Sequence, residues 1–285
     1  MKLAYIVSAY KLPEQLIRLV SKLNTANSQF FIHVDSKTDG ASYRRIWNAL
    51  SPLSDVHFLS RHTCYYGGFG HVRATLKGIT EIFRKRIQCD YVLLLTGQDY
   101  PIKSNQSITD FFTEHRELSF MEYFPLPHDP WDRGGMDRIQ YWHFWPRGTH
   151  LRFPGRFSTL PKRRFPPLRP FGGSAYWCMS RECAQYVHDF VQHNHSYLRF
   201  FKYVDVPDEI FFQTIVLNSP FNASVVNDDL RFLEWRNPAV AGGPAILQKQ
   251  DFGKLMQSSK LFARKFDITH DAEILDMIDA QTRDD

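Results

Sequence analysis

The sequence lacks the signatures of several common enzyme and membrane-protein classes. It contains no Gly-x-x-x-x-Gly-Lys phosphate loop, no Gly-x-Ser-x-Gly nucleophile turn and no His-Glu-x-x-His zinc motif. No apolar run is long enough to span a bilayer, and the N-terminal run is too short for a signal peptide. We therefore expect a cytoplasmic protein, with peripheral contact at the inner face of a membrane as a further option.

Cysteine is scarce, with four residues in 285, and no two of them have the Cys-x-x-Cys spacing of a zinc site. Cys178 and Cys183 lie in apolar segments, which favours buried free thiols. The sequence also lacks Asp-x-Asp, with which many nucleotide-sugar transferases hold a divalent metal. We therefore expect no metal and no cofactor. A bound diphosphate would then need a basic counter-charge, which Arg264 and Lys265 could supply.

Composition and charge restrict the class of partner. A net charge of +5 is too low by itself to indicate nucleic-acid binding, and no recognised motif supports it, so we predict no nucleic-acid partner. Hydrophobic residues make up 43% of the chain, which excludes a largely disordered protein. Aromatic residues reach 15%, a content that suits a core and also suits stacking on sugars or bases.

Short apolar runs alternate with helical patterns along residues 1–95. Strands are predicted over residues 3–8, 30–35, 56–59 and 90–95, and helices over 12–23, 42–50 and from Gly70 to about 86. This alternation predicts an α/β fold with a mostly parallel central sheet flanked by helices. Ligands of such sheets bind at the carboxyl ends of the strands, where Asp35 and Asp99 fall.

The pattern is irregular from about residue 124 to 172, in a stretch rich in Pro, Gly, Arg and Trp that includes Trp131. So long a segment is usually functional or disordered. Its basic cluster at 161–164 is more often a solvated face, and contact with anionic lipid or a charged glycan is the alternative. Regular elements are predicted again over residues 172–179, about 181–192, 230–235, 250–257 and from about 271.

Residues 205–219 predict a helix with two acids in its first turn. Pro207 suits a first helical position, where its missing N–H has no cost. Asp208 and Glu209 would then lie at the positive end of the helix dipole, which favours the ionised carboxylate that a general base needs. Simple capping of the helix is the alternative interpretation of both acids.

Six short stretches are distributed over nearly the whole chain: 31–35 (FIHVD), 97–102 (GQDYPI), 173–176 (GSAY), 180–182 (SRE), 207–209 (PDE) and 261–267 (LFARKFD). In their sequence and order they together resemble the core-2/I-branching β-1,6-N-acetylglucosaminyltransferase family, which includes the peptide O-xylosyltransferases. The resemblance implies a GT-A-like fold in a single glycosyltransferase domain. Residues 1–123 would mainly bind the donor nucleotide, and residues 124–285 would mainly supply the acceptor and catalytic half.

The same resemblance implies inverting, metal-independent transfer from UDP-N-acetylglucosamine or UDP-xylose to a glycan or glycolipid. Glu209 matches the general base, and Lys265 matches the basic residue on the diphosphate. The implied donor-side residues are Val7, Asp35, Tyr66, Asp99, Arg236, Arg264 and Lys265, and the implied acceptor-side residues are Glu122, Trp131 and Trp235. Structuring its own loop is an alternative role for Asp99.

The chain departs from the family pattern in places. The animal branching enzymes have a second arginine on the diphosphate where this sequence has Gly242-Gly243-Pro244, and Arg236 is the proposed substitute. The cysteine framework and membrane anchor of the secreted members are absent, which agrees with a bacterial member. The main alternative to the enzyme is a protein of the same fold that binds glycans or nucleotides without turnover.

Overall fold

The computed structural model describes residues 1–153, 163–235 and 243–283. The strands in these ranges are β1 (Leu3–Ala9), β2 (Ser28–Val34), β3 (Val56–Phe58), β4 (Tyr91–Thr96), β5 (Asp99–Pro101), β6 (Ser119–Met121), β7 (Phe124–Pro125), β8 (Trp142–Phe144), β9 (Leu151–Phe153), β10 (Phe171–Gly172), β11 (Trp177–Ser180), β12 (Val225–Val226), β13 (Arg231–Leu233) and β14 (Phe262–Arg264). The α-helices are α1 (Pro13–Leu23), α2 (Gly40–Leu50), α3 (Gly70–Arg84), α4 (Asn105–Glu114), α5 (Met136–Gln140), α6 (Arg181–His193), α7 (His195–Phe201), α8 (Phe211–Leu217), α9 (Phe252–Gln257) and α10 (Glu273–Gln281).

The chain forms two compact units, and each is built from separate stretches of sequence. The first unit consists of Met1–Arg61, Ile87–Arg116 and Leu230–Asp285. The second unit consists of His62–Arg86 and Glu117–Asp229. The family-like stretches are therefore shared between the units, with GQDYPI and LFARKFD in the first and PDE in the second.

Four parallel strands in the order β4-β1-β2-β3 form the main sheet of the first unit. β1 and β2 are buried along most of their length, which explains why their sequences are continuous apolar runs without polar alternation. α1 packs against α2, and α1 buries Leu16, Leu19, Val20 and Leu23 at the three- and four-residue spacing of one helix face. The predicted α/β class, with a mostly parallel sheet flanked by helices, is confirmed.

A smaller sheet of the first unit has the strand order β13-β14-β5. β14 is parallel to β13 and antiparallel to β5. Because β14 carries part of LFARKFD and β5 carries part of GQDYPI, this sheet pairs two of the family-like stretches directly.

Short strand pairs and a buried helix organise the second unit. β6 lies between β12 and β11, β7 pairs with β10, and β8 pairs with β9 as an antiparallel hairpin. α6 contacts both α3 and α8. Every residue of α8 is buried, so this helix belongs to the core and presents no solvent face.

The strands and helices predicted over residues 1–95 match the observed bounds to within two residues. The segment 124–172 differs from the prediction of a long irregular loop, because its described part contains β7, α5, β8, β9 and β10. Residues 154–162 of that segment lie outside the described residues.

Arg163 corrects the interpretation of the basic cluster as a solvated face. Its side chain is buried and donates hydrogen bonds to the backbone carbonyls of Tyr203, at 2.7 Å, and of Phe200. The guanidinium lies 3.8 Å from the centre of the Phe200 ring. Desolvation lowers the pKa of Arg163 to about 10. Arg163 is therefore a core residue that is not accessible to a lipid, whereas the adjacent Arg164 is exposed.

All four cysteines are buried thiols that form no disulfide bond in the described ranges, as predicted for Cys178 and Cys183. Among the described ranges of the chain, no helix is both long and apolar enough to cross a bilayer.

Candidate functional site

The acids of residues 205–219 do not lie in the first turn of one helix. Pro207–Glu209 forms a separate 3-10 turn, and α8 begins only at Phe211 after Ile210, whose φ of −134° is not helical. The carbonyl of Glu209 accepts a hydrogen bond from the N–H of Gly173 at 2.9 Å, so it is engaged outside a continuous helix. The prediction of a single helix is therefore wrong, and both acids belong to a tight turn.

Backbone strain precedes this turn. Val206 has φ 46° and ψ 56°, a left-handed conformation that a β-branched residue rarely adopts. Its N–H donates to the carbonyl of Gly67 at 2.9 Å, and Gly67 itself has φ +73°. A Cβ on Gly67 would approach Asp205 Oδ1 to 3.0 Å, so this position also requires glycine for space. Strained residues of this kind cluster at functional sites, which makes the Pro207–Glu209 turn the leading candidate in this unit.

Glu209 is held by an arginine that the sequence did not indicate. Arg138 Nη1, in α5, donates a hydrogen bond to Glu209 Oε2 at 2.7 Å. The Arg138 guanidinium also lies 3.8 Å from the centre of the Trp131 ring. The structure therefore brings the predicted base and the predicted acceptor residue Trp131 together through Arg138.

The pKa values of the two acids in this turn are raised, whereas the predicted helix dipole would have lowered them. Burial is the main cause that raises the pKa of Glu209 to about 7; the charge of Asp208 adds to the rise, and Arg138 opposes it. Burial likewise raises the pKa of Asp208 to about 6. Desolvation therefore outweighs any favourable dipole. The Glu209 side chain is half-buried, with 32% of it open to solvent. A partly accessible side chain with a pKa of about 7 suits a general base.

Tyr66 and Glu122 lie in the same unit as Glu209. The pKa of the Tyr66 phenol is raised, first by desolvation and then by the carboxylates of Glu209 and Asp208. Tyr66 is 90% exposed, and the effect of the Glu209 charge on its pKa indicates that the phenol lies within electrostatic range of Glu209. The carbonyl of Glu122 would clash with any Cβ on Gly173, and Gly173 donates to the carbonyl of Glu209. The backbone of Gly173 therefore packs against the backbone of Glu122 and is hydrogen-bonded to the backbone of Glu209.

Val7 and Asp35 lie at one edge of the parallel sheet in the first unit. Val7 is buried near the carboxyl end of β1, and Asp35 directly follows β2. The N–H of Asp35 donates to the carbonyl of Ala9 at 2.8 Å, so the ends of these neighbouring strands are joined. The Asp35 side chain is buried and accepts a hydrogen bond from the N–H of Lys37 at 2.8 Å. The structure thus places both residues at the strand edge where α/β sheets bind ligands.

Asp99 faces Arg264 across the β5–β14 pair. The two residues are register partners, and Arg264 Nη1 lies 3.7 Å from Asp99 Oδ1. Asp99 is fully buried, and its Oδ2 accepts a hydrogen bond from the N–H of Thr96 at 2.6 Å. Burial raises the pKa of Asp99, and the charges of Arg264 and Arg231 oppose the rise. These contacts fit the loop-structuring role for Asp99.

Lys265 lies within a cluster of positive charge in the first unit. Desolvation lowers the pKa of Lys265, and the charges of Arg264 and Lys11 lower it further. The charge of Asp267, which is ion-paired with Lys11 at 2.9 Å, opposes the fall. Such a cluster favours the binding of an anion, because a negative ligand relieves repulsion among the cations. Trp235 belongs to the same unit and is 55% exposed, so its ring is accessible. Arg236 lies outside the described residues.

The family model described as "Core-2/I-Branching enzyme" matches residues 3–256. Xylosyltransferase 2 of Mus musculus is 26% identical over 98% of this chain, and Xylosyltransferase 1 of Homo sapiens is 23% identical over 98%. The chain spans only 33% and 30% of the lengths of these relatives. A solved structure of S. aureus TarS 1–349 in complex with UDP-GlcNAc shares 15% identity with it. That similarity covers 80% of this chain and 56% of TarS at a TM-score of 0.39. Because the family model covers most of its length, the chain belongs to the Core-2/I-Branching enzyme family.

Proposed function

We propose that this member of the Core-2/I-Branching enzyme family is an inverting, metal-independent glycosyltransferase of the GT-A-like class. It transfers N-acetylglucosamine or xylose from a UDP-sugar to a glycan or glycolipid hydroxyl. The observation that carries the proposal is Glu209, a partly accessible carboxylate with a pKa of about 7, held at 2.7 Å by Arg138.

In the proposed reaction, Glu209 takes the proton of the acceptor hydroxyl as that oxygen attacks the anomeric carbon. The new glycosidic bond forms while the bond to the diphosphate breaks, and UDP leaves with the electron pair of that bond. Attack from the face opposite UDP inverts the configuration of the anomeric carbon. The carboxylate must lie within about 3 Å of the acceptor oxygen in the productive complex. A pKa near 7 leaves a substantial fraction of Glu209 ionised at neutral pH and keeps it basic enough to accept the proton.

The diphosphate needs positive charge as UDP leaves, and the cluster of Lys11, Arg264 and Lys265 is the proposed source. Lys265 is assigned to the diphosphate, and Arg236 is assigned as a second donor residue. Val7, Asp35 and Tyr66 are assigned to the donor nucleotide. Asp99 is assigned to support the donor loop through its contacts with Thr96 and Arg264.

The acceptor is assigned to Glu122, Trp131 and Trp235, since aromatic rings pack well against sugar faces and a carboxylate can bind sugar hydroxyls. Arg138 lies between Trp131 and Glu209 and would orient the base. Peripheral contact with an anionic membrane stays a proposal, to which exposed Arg164 can contribute and buried Arg163 cannot.

Release of UDP tests the proposal. Wild-type protein and Glu209→Gln are mixed with UDP-N-acetylglucosamine or UDP-xylose and a panel of glycan acceptors in EDTA, and free UDP is measured. We expect acceptor-dependent UDP release by the wild type with one of the donors. We expect a loss of about a hundredfold or more in Glu209→Gln, because the amide cannot take a proton. UDP binding by calorimetry controls for folding of the variant. Binding with no release by the wild type would instead favour a binding protein without turnover.

A further inference from the structure

Three potential ligand side chains converge in the second unit. His143 Nδ1 and His150 Nε2 are 2.9 Å apart, and His150 Nε2 is 3.8 Å from Asp205 Oδ1. The three ligand atoms all lie within 4.8 Å of one another. None of these residues was singled out by the sequence patterns, and the mechanism proposed above does not use them.

Two parts of the backbone hold this cluster. His143 lies in β8 and His150 directly precedes β9, so the β8–β9 hairpin positions both histidines. The N–H of His143 donates to the carbonyl of Tyr203 at 3.1 Å, and the N–H of Asp205 donates to the carbonyl of Arg138 at 3.1 Å. The hairpin is therefore tied to the segment that carries Asp205.

The His143 ring is fixed in the orientation that a metal ligand needs. His143 is 1% exposed, and its Nε2 donates to the carbonyl of Asp137 at 3.0 Å. Because a neutral imidazole carries one N–H, the lone pair of His143 is on Nδ1, which faces His150. A second ring nitrogen donating to a backbone carbonyl is the usual support of a metal-binding histidine. Trp145 stacks on His150 with ring centroids 5.1 Å apart and an interplanar angle of 11°, which gives the cluster an apolar cover.

We propose that His143 Nδ1, His150 Nε2 and the Asp205 carboxylate bind a divalent transition-metal ion of the Zn²⁺ type, with a fourth position for water. Ligand atoms about 2.0–2.1 Å from Zn²⁺ lie roughly 3.3 Å apart in a tetrahedron. The observed separations of 2.9 and 3.8 Å bracket that value. Two imidazole nitrogens with one carboxylate favour Zn²⁺ over Mg²⁺ or Ca²⁺, which prefer oxygen ligands. When the ion binds, His150 adopts its other neutral tautomer with the proton on Nδ1, so no net proton is released.

The ion would link the β8–β9 hairpin to the segment that leads into Pro207–Glu209. Its ligands are different residues from Lys11, Arg264 and Lys265, which are assigned to the diphosphate. Metal binding can be measured without donor or acceptor, so this proposal does not depend on the proposed reaction. The two can also fail separately, because UDP binding in EDTA tests one and Zn²⁺ binding tests the other.

The test is calorimetric titration of the whole chain with Zn²⁺, together with thermal melting. The protein carries no polyhistidine tag and is first stripped with a chelator. We expect one tightly bound Zn²⁺ per chain and a rise in Tm of about 5 °C at a free Zn²⁺ concentration a hundred times Kd. His150→Asn and Asp205→Asn should each weaken binding about tenfold or more, because each removes a ligand. His195→Asn, which changes an exposed histidine of the same unit outside the cluster, should bind as the wild type does.

Several outcomes would overturn the site. They are the absence of saturable Zn²⁺ binding by the wild type, unchanged affinity in His150→Asn, or an equal rise in Tm with Mg²⁺. A purely structural His143–His150 hydrogen bond would make His150→Asn less stable by the same amount with and without Zn²⁺. Co²⁺ gives a spectroscopic readout, since visible d–d absorption should appear in the wild type and in His195→Asn but not in His150→Asn.

Discussion

Arg138 donates a hydrogen bond to Glu209 at 2.7 Å while its guanidinium lies 3.8 Å from the centre of the Trp131 ring. The ring restricts the arginine, because a planar guanidinium packs well on an aromatic face. The pKa of Glu209 is therefore set by opposing effects: burial and the charge of Asp208 raise it, and Arg138 lowers it. Substitutions at positions 138 and 208 should shift the titration of the base in opposite directions.

Arg138→Met should move the acid limb of the pH profile of kcat/KM to higher pH. A general base acts when it is ionised, so activity falls as the pH drops through its pKa. Loss of a cation in contact with a carboxylate raises that pKa by about one unit or more, because a nearby opposite charge lowers it by 1–3 units. Initial rates measured between pH 5 and pH 9 check the shift.

Arg133→Met is the matched control for Arg138→Met. Arg133 is an exposed arginine of the same unit that binds Asp137 at 2.8 Å, and its contacts do not include Glu209. The acid limb of the pH profile of kcat/KM for Arg133→Met should coincide with that of the wild type. An unshifted limb in Arg138→Met, or a shift to lower pH, would show that Arg138 does not set the pKa of the base.

Asp208→Asn should move the same limb to lower pH and should also change how stability depends on pH. The pKa of folded Asp208 is about 6, whereas its ordinary value is 3.8. The folded chain therefore holds this proton more tightly, and the wild type loses stability as the pH rises from about 4 through about 6. The amide carries no charge, so the variant escapes this loss.

The Tm of wild type and Asp208→Asn, compared at pH 4 and pH 8, measures that difference. We expect Asp208→Asn to gain up to about 2 kcal/mol relative to the wild type at pH 8, compared with its relative stability at pH 4. A difference in stability between the two proteins that stays constant with pH would contradict the raised pKa of Asp208. Asp132→Asn, which removes another carboxylate of the same unit, provides the control.

Local patterns in the sequence were sufficient to predict the first unit's main sheet. β1, β2 and β4 are continuous buried runs, and α1 has one apolar face, so burial and periodicity identify them without knowledge of their partners. The position of Asp35 directly after β2 follows from the same reasoning, whereas Asp99 is the first residue of the separate strand β5. These features depend on residues close together in sequence, which a single chain displays directly.

The predictions that failed concern features that depend on contacts between residues distant in sequence. The helix predicted from Pro207 is interrupted where the carbonyl of Glu209 meets the N–H of Gly173. Arg138 is 71 positions from Glu209 and lies in a stretch whose composition indicates only a basic loop. Arg163 also lies in that stretch, yet its side chain donates hydrogen bonds to the backbone carbonyls of Phe200 and Tyr203. No local spacing carries such information, because each contact is formed only when the chain folds.

Asp99→Ala should destabilise the protein strongly if Asp99 organises its loop. The substitution removes an ion-pair partner of Arg264 and the acceptor for the N–H of Thr96, both in buried surroundings. Breaking one side of a buried ion pair costs about 3–5 kcal/mol. Denaturant unfolding measures the change in the free energy of unfolding.

The control for Asp99→Ala is Glu273→Ala, which breaks the exposed pair between Glu273 and Lys249. Both side chains of that pair are largely open to solvent, so its loss should change stability by less than about 1 kcal/mol. If Asp99→Ala instead keeps wild-type stability and loses UDP binding, Asp99 is a donor ligand and the loop-structuring role is wrong.

Lys265→Ala should weaken UDP binding in EDTA by about tenfold or more. The pKa of Lys265 is lowered by desolvation and by the charges of Arg264 and Lys11, so this amine is already held near other cations. A diphosphate that binds there relieves the repulsion and accepts charge-assisted hydrogen bonds, each worth about 1.5–3 kcal/mol. Calorimetric titration with UDP, with Lys249→Ala as the exposed-lysine control from the same unit, measures the effect. Equal affinity in both variants would remove Lys265 from the diphosphate site, whereas a selective loss with tight binding retained in the wild type would support a diphosphate site that uses lysine and arginine in place of a metal.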